Sequence, residues 1–183
     1  MTQHKIAKRD DLRHNQMKVV KAGDTDILLY RIGDDFYATS AICPHYGAPL
    51  EEGVVSDKRV ICPWHHSAFD IDSGDLIEPP SRDGLERYRV EVDGDDVIVH
   101  LPKKTSDRKV PAMTSHNPDE DDRTFVIVGG GAAGNAAAQA LREFNFKGRV
   151  IIVTPEKKLP YDRPNLSKDY LQGQAPDEWI PLR

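Results

Sequence analysis

Two short stretches concentrate the side chains that could do chemistry. The first is Cys43-Pro44-His45-Tyr46-Gly47-Ala48-Pro49-Leu50, and the second is Cys62-Pro63-Trp64-His65-His66-Ser67. Each offers one thiolate and one imidazole at close spacing, Cys-x-His in the first and Cys-x-x-His in the second. Sixteen residues lie between His45 and Cys62, and the chain of 183 residues holds no other cysteine. Two thiolates and two imidazoles form a donor set that can hold a [2Fe–2S] cluster with histidines replacing cysteines on one iron. The same four residues could instead be two buried cysteines beside histidines, or zinc ligands. Cys-x-His is tighter than the usual zinc-finger spacings, however. Without a signal-peptide pattern at the polar start Met1–Asp10, two cysteines read as metal ligands before they read as a disulfide.

A second constellation lies in the last third. Thr124-Phe125-Val126-Ile127-Val128 runs directly into Gly129-Gly130-Gly131-Ala132-Ala133-Gly134. Gly129, Gly131 and Gly134 match G-x-G-x-x-G between a strand and a helix. Such glycines let the backbone approach a pyrophosphate at the positive end of a helix. Glu156, just after the following strand, could accept the ribose hydroxyls.

The elements that must position these groups differ between the two halves. Residues 1–104 show short β-rich runs: Met17–Val20, Ile27–Tyr30, Phe36–Thr39, Tyr88–Val92 and Val97–Leu101. Asp93-Gly94 is a hairpin signal between the last two. This predicts an all-β domain. Residues 105–122 are polar, proline-containing and end in Asp119-Glu120-Asp121-Asp122, the composition of a flexible, solvated linker. From 123 onward the pattern is βαβ. Thr124–Val128 reads as a strand buried on both faces. Ala136, Ala137, Ala140, Leu141 and Phe144 fall at helical spacing, Gly148 is expected to close the helix, and Arg149–Val153 is the second strand.

The first constellation resembles the Rieske family. The resemblance assigns Cys43 and Cys62 to one iron and His45 and His65 to the other. It also implies an antiparallel β-sandwich or barrel with cluster-binding loops. Rieske proteins of respiratory complexes carry a disulfide across the two loops; here Ala48 and Trp64 stand at those positions, so the chain looks like the ferredoxin-type branch. Ser67 matches a serine that hydrogen-bonds a cluster sulfur, and Phe69 replaces a tyrosine that does the same. His66 stands where the family often has glycine. It reads as a loop histidine turned outward, or as a second titrating group near the outer iron.

The stretch Leu159-Pro160-Tyr161-Asp162-Arg163-Pro164-Asn165-Leu166-Ser167-Lys168 resembles flavoprotein reductases related to apoptosis-inducing factor and putidaredoxin reductase. By that resemblance Arg163 lies near the FAD phosphates and Lys168 near the flavin ring. Many members place the ribose-binding acid at the position of Pro155. The combination resembles the Rieske-fused branch of these reductases, in which NAD(P)H reduces FAD and FAD feeds the cluster. Those proteins continue for several hundred residues, so residues 123–183 are expected to be a partial Rossmann-like FAD-binding unit from a truncated reading frame.

The expected activity is electron transfer to a redox protein or an oxygenase. NAD(P)H would be a partner only with further sequence present. A free-standing ferredoxin feeding an oxygenase and a non-redox metal-binding module are the alternatives. The net charge of −5 disfavours nucleic acid as a partner, no run of about 18 apolar residues predicts a membrane span, and the cytoplasm is the expected location.

Overall fold

The computed structural model describes residues 1–182. Ten strands precede residue 102: β1 (Thr2–Lys8), β2 (Gln16–Ala22), β3 (Thr25–Ile32), β4 (Asp35–Ser40), β5 (Val54–Ser56), β6 (Arg59–Ile61), β7 (Ala68–Asp70), β8 (Leu76–Glu78), β9 (Arg87–Asp93) and β10 (Asp96–Leu101). They form two antiparallel sheets, one of six strands in the order β1-β10-β9-β4-β3-β2 and one of four in the order β5-β6-β7-β8. The first and last strands of the larger sheet also touch one another, so that sheet curls back on itself. The mainly β, antiparallel expectation therefore holds.

Strand β3 shows how the core is divided. Successive side chains of a strand point to opposite faces. Leu28 and Tyr30 join a core with Cys43, Leu50, Cys62, Phe69 and Leu85, while Ile27 and Leu29 join another with Ala38, Tyr88, Val97 and Val99. The first core connects the large sheet to the small one, and both cysteines are part of it. Tyr30 brings a hydroxyl into this core. Its hydroxyl hydrogen-bonds Thr39 Oγ1 at 2.8 Å, and burial pushes its pKa well above the usual phenol value.

The first compact unit is Met1–Pro111 and a second begins at Ala112. The second contains β11 (Thr124–Val128), α1 (Ala132–Glu143), β12 (Arg149–Val153) and a short helix α2 (Arg163–Leu166). β11 and β12 pair in parallel from Thr124↔Arg149 to Val128↔Val153. Two details differ from expectation. Helix α1 stops at Glu143, and Asn145 at φ +62° turns the chain away, so Phe144 lies outside the helix and is exposed. Gly148 serves a different purpose: a Cβ there would come within 2.3 Å of Arg123 O. Strand β11 is also not buried on both faces, since Phe125, Val126 and Val128 are exposed. One helix covers one face of a two-stranded sheet and leaves the other open.

The segment 105–122 is tied down at several points. Tyr88 and Ser40 hydroxyls donate to Ser106 O and Asp107 O, and Lys109 pairs with Gly84. Within the second unit, Thr114 and Asn117 N–H donate to Arg142 O and Lys147 O.

Candidate functional site: paired Cys/His loops

The small sheet projects two loops, one between β4 and β5 and one between β6 and β7. Their backbones repeat one pattern. Cys43 N–H donates to Ala48 O at 2.9 Å and Gly47 N–H to Cys43 O at 3.0 Å. Cys62 N–H donates to Ser67 O at 2.9 Å and His66 N–H to Cys62 O at 3.2 Å. Each loop closes through a left-handed residue four places after the cysteine, Gly47 at φ +80° and His66 at φ +62°. Glycine enters this region without strain, and histidine is among the side chains that enter it most readily. The second turn of the pair is recorded in the sequence only as a histidine where glycine would serve.

The repeated turn buries the thiols and leaves the imidazoles less buried. Cys43 and Cys62 are each 1% exposed, His45 is half-buried, and His65 is exposed. The His45 and His65 rings meet edge to face with centroids 4.8 Å apart. Tyr46 stacks on His45 at 4.1 Å and meets His65 edge-on at 5.7 Å. Trp64 stands beside them, 52% exposed.

The electrostatics of Cys43 report the same geometry. Burial, above all, pushes its thiol up to about 12, and the neighbouring Cys62 sulfur pushes the same way. The His45 and Tyr46 N–H groups donate to the sulfur and act in the opposite sense. Those amides are placed to stabilise a thiolate, while the apolar surroundings disfavour one that has no cation beside it. A metal centre resolves that conflict.

The donor set fits a diiron cluster. Each iron of such a cluster takes two protein ligands, whereas structural zinc takes four on one ion. Among the described residues, no three His, Cys, Asp or Glu side chains gather on one metal position. Two buried sulfurs and two less buried imidazoles match two irons with different ligands. Ser67 is buried beside this loop and accepts a hydrogen bond from Ser81 N–H at 2.8 Å. Phe69, fully buried, offers no donor.

In the second unit Gly129 and Gly131 lie in the turn between β11 and α1, and Gly134 lies in the first turn of α1. Gly129 adopts φ +120°. A Cβ on Gly131 would meet open space, and one on Gly134 would lie 1.9 Å from Gly129 O. The third glycine therefore lets the helix pack on the strand end, and the second leaves the helix N-terminus approachable. Glu156 and Arg163 are brought together as an ion pair. Tyr161 joins them, with its hydroxyl on Glu156 and its ring under the Arg163 guanidinium, 5.3 Å from the ring centre. Lys168 is exposed, apart from this group, with its N–H on Asn165 O. Sequence reasoning did not anticipate the Glu156–Arg163 pairing, because it assigned the two to different parts of a dinucleotide.

Comparison with known proteins agrees with both halves. The Rieske [2Fe-2S] domain family matches residues 2–89, and the pyridine nucleotide-disulphide oxidoreductase family matches residues 123–181. Apoptosis-inducing factor 3 of Homo sapiens is 40% identical over 164 residues, covering 86% of this chain and 27% of that protein. The 3-phenylpropionate/cinnamic acid dioxygenase ferredoxin subunit of Escherichia coli (strain K12) is 35% identical over 78 residues, 42% of this chain and 74% of the subunit. A chain in the complex of reduced oxygenase and oxidized ferredoxin in carbazole 1,9a-dioxygenase superposes with a TM-score of 0.53 at 31% identity, covering 57% of this chain and 97% of that one. The chain belongs to the Rieske [2Fe-2S] family and carries, behind that domain, part of a pyridine nucleotide-disulphide oxidoreductase domain. It spans little more than a quarter of the length of the apoptosis-inducing factor 3 relatives.

Proposed function

We propose that this chain is a one-electron carrier whose [2Fe–2S] cluster is held by Cys43 and Cys62 on one iron and by His45 and His65 on the other. The observation that carries the reading is the pair of matching loops, each with a buried cysteine and a less buried histidine, whose imidazoles meet at 4.8 Å. When bound, the cluster supplies reversible one-electron chemistry at a potential tuned by its ligands and hydrogen bonds. The chain's own residues supply the rest. Cys43 and Cys62, in the apolar core, would hold one iron, and His45 and His65, the more exposed pair, would hold the other. The His45 and Tyr46 amides offset thiolate charge, and Ser67 stands as the hydroxyl donor beside the centre.

The domain division we propose is 1–104 for the Rieske domain, 105–122 for the connection and 123–183 for the opening of an FAD-binding domain. Gly129, Gly131 and Gly134 would face the FAD pyrophosphate, Glu156 the ribose, Arg163 the phosphates and Lys168 the flavin. The glycine geometry supports this, but Glu156 must first exchange its Arg163 partner for the ribose. In a protein with the full flavin and nicotinamide domains, electrons would pass from NAD(P)H through FAD to the cluster. A second reading, a ferredoxin serving an oxygenase, is favoured by the E. coli ferredoxin subunit, whose length this chain covers by three quarters. We infer the cytoplasm as compartment, supported by two cysteines that are both free. Among the described residues no helix is long and apolar enough to cross a membrane.

Anaerobic purification tests the first claim. Brown protein with about two irons and two acid-labile sulfides per chain is expected. Colourless protein, or zinc in place of iron, would refute it. Adding NADH or NADPH with FAD then separates the readings. Bleaching of the cluster supports a working flavin half, and bleaching only with a separate reductase supports the ferredoxin reading.

A further inference from the structure

After β10 the chain turns back and crosses the loop that backs the cluster site. Four consecutive residues attach to that loop and to the strands beside it. Tyr88 Oη–H donates to Ser106 O at 3.1 Å and Ser40 Oγ–H to Asp107 O at 2.9 Å. The Arg108 guanidinium lies 3.6 Å from the buried carboxylate of Asp83. Lys109 and Gly84 exchange both backbone hydrogen bonds at 2.9 Å. The Lys109 ammonium donates to Ser73 O at 3.0 Å and to Asp75 Oδ1 at 2.6 Å.

The Ser81–Leu85 loop is therefore gripped from two sides. On one side is this strap. On the other is the turn after β7, where Leu85 N–H donates to Gly74 O at 2.7 Å. The approach is so close that a Cβ on Gly84 would lie 2.3 Å from Gly74 O. The loop's near end reaches the site. Ser81 Oγ–H donates to Asp83 O at 2.8 Å, and Ser81 N–H donates to Ser67 Oγ at 2.8 Å. Ser67 in turn closes the second cluster loop through Cys62 N–H. Because Ser67 Oγ accepts from a fixed amide, the directions left for its own proton are restricted.

We infer that the Ser106–Lys109 strap is a positioning element for the cluster, holding Ser67 in orientation through Gly84, Asp83 and Ser81 and thereby helping to set the reduction potential. The inference rests on the cluster reading above. It extends that reading from the two loops to a segment more than forty residues downstream of Cys62, whose polar composition looks like linker. Loosening the strap lets Ser81 drift from Ser67. A weakened hydrogen bond from Ser67 to cluster sulfur destabilises the reduced, more negative state and lowers the potential.

The test is a redox titration of the full chain, monitored by the visible spectrum of the cluster. Lys109→Ala removes the ammonium contacts, Lys109→Pro also removes the N–H that Gly84 O accepts, and Lys109→Arg keeps the charge opposite Asp75. The midpoint potential should fall with Lys109→Ala, fall further with Lys109→Pro, and return toward the parent value with Lys109→Arg. In a Ser67→Ala background the Lys109 changes should shift the potential by less than half as much, because the group they position is gone. Unchanged potentials in fully loaded variants would overturn the inference, as would an equal shift with and without Ser67. If Lys109→Pro does not fold, Lys109→Ala and Asp75→Asn decide by the same comparison. A parent chain that binds no cluster would instead refute the underlying reading, an outcome visible before any variant is titrated.

Discussion

Gly47 and His66 hold the same backbone position in two loops that are copies of one another: each is left-handed, and each donates its N–H to the cysteine four residues before it. Only one of them is glycine. A non-glycine residue in this region carries roughly 1–2 kcal/mol of strain, partly offset because glycine loses roughly 0.5–1 kcal/mol more in chain entropy on folding. His66→Gly should therefore keep the cluster and raise stability by about 0.5–1 kcal/mol. His66→Val, with a branched Cβ, should lower it by at least as much. Denaturant midpoints of the two variants check this. A destabilised His66→Gly would mean that the imidazole makes a contact worth more than the strain.

Ser67 places a buried hydroxyl in the second loop, and Phe69 supplies none where a tyrosine could have done so. The chain should then have a potential in the lower part of the Rieske range of about −150 to +300 mV. Ser67→Ala should lower it further without loss of iron. A potential unmoved by the substitution would remove Ser67 from the tuning of the centre.

The Cys43 thiol supplies a pH signature for the cluster-free chain. Its pKa is raised to about 12, first by burial, from an ordinary value near 9. The fold thus favours the protonated thiol. That contribution is complete below pH 9 and is lost as pH rises through the interval up to about 12. Apo-protein should lose stability across this alkaline window, and Cys43→Ala should lose less. The loaded chain should be spared, because iron has already displaced the proton. Unfolding midpoints of the apo chain and Cys43→Ala at pH 8 and pH 11 make the comparison.

Gly134 separates the two units experimentally. A Cβ there meets Gly129 O at 1.9 Å, a backbone atom that cannot swing aside. Gly134→Ala should destabilise the second unit by at least about 2 kcal/mol and leave the cluster spectrum unchanged. Hydrogen exchange resolved to peptides within 124–153 would show the loss. An unchanged exchange pattern would mean that α1 does not pack on β11 as described.

Much of this architecture was legible in the residues, for physical reasons. The long strands of the larger sheet carry β-branched and aromatic runs, and Asp93-Gly94 announces the hairpin that joins β9 to β10. Cys43, His45, Cys62 and His65 stand out because thiolates and imidazoles have few structural uses in such pairs. Strand β1 was hidden by its composition: Thr2-Gln3-His4-Lys5 is a polar edge, and only Ile6 and Ala7 mark the side turned inward. Strands β5 to β8 have three residues each, too few to establish a period of two. The strap at Ser106–Lys109 was invisible because its own contribution is backbone groups, an arginine and a lysine, and a solvated linker would have the same composition.

In the proposed centre two imidazoles and two thiolates share one diiron unit. Pulsed electron paramagnetic resonance of the reduced, cluster-loaded chain tests this most directly, using histidine labelled with nitrogen-15. Couplings to two distinct imidazole nitrogens are predicted, lost together with the cluster or reduced to one in His45→Ala and in His65→Ala. A reduced centre without histidine nitrogen coupling, or one that persists unaltered in both variants, would contradict it.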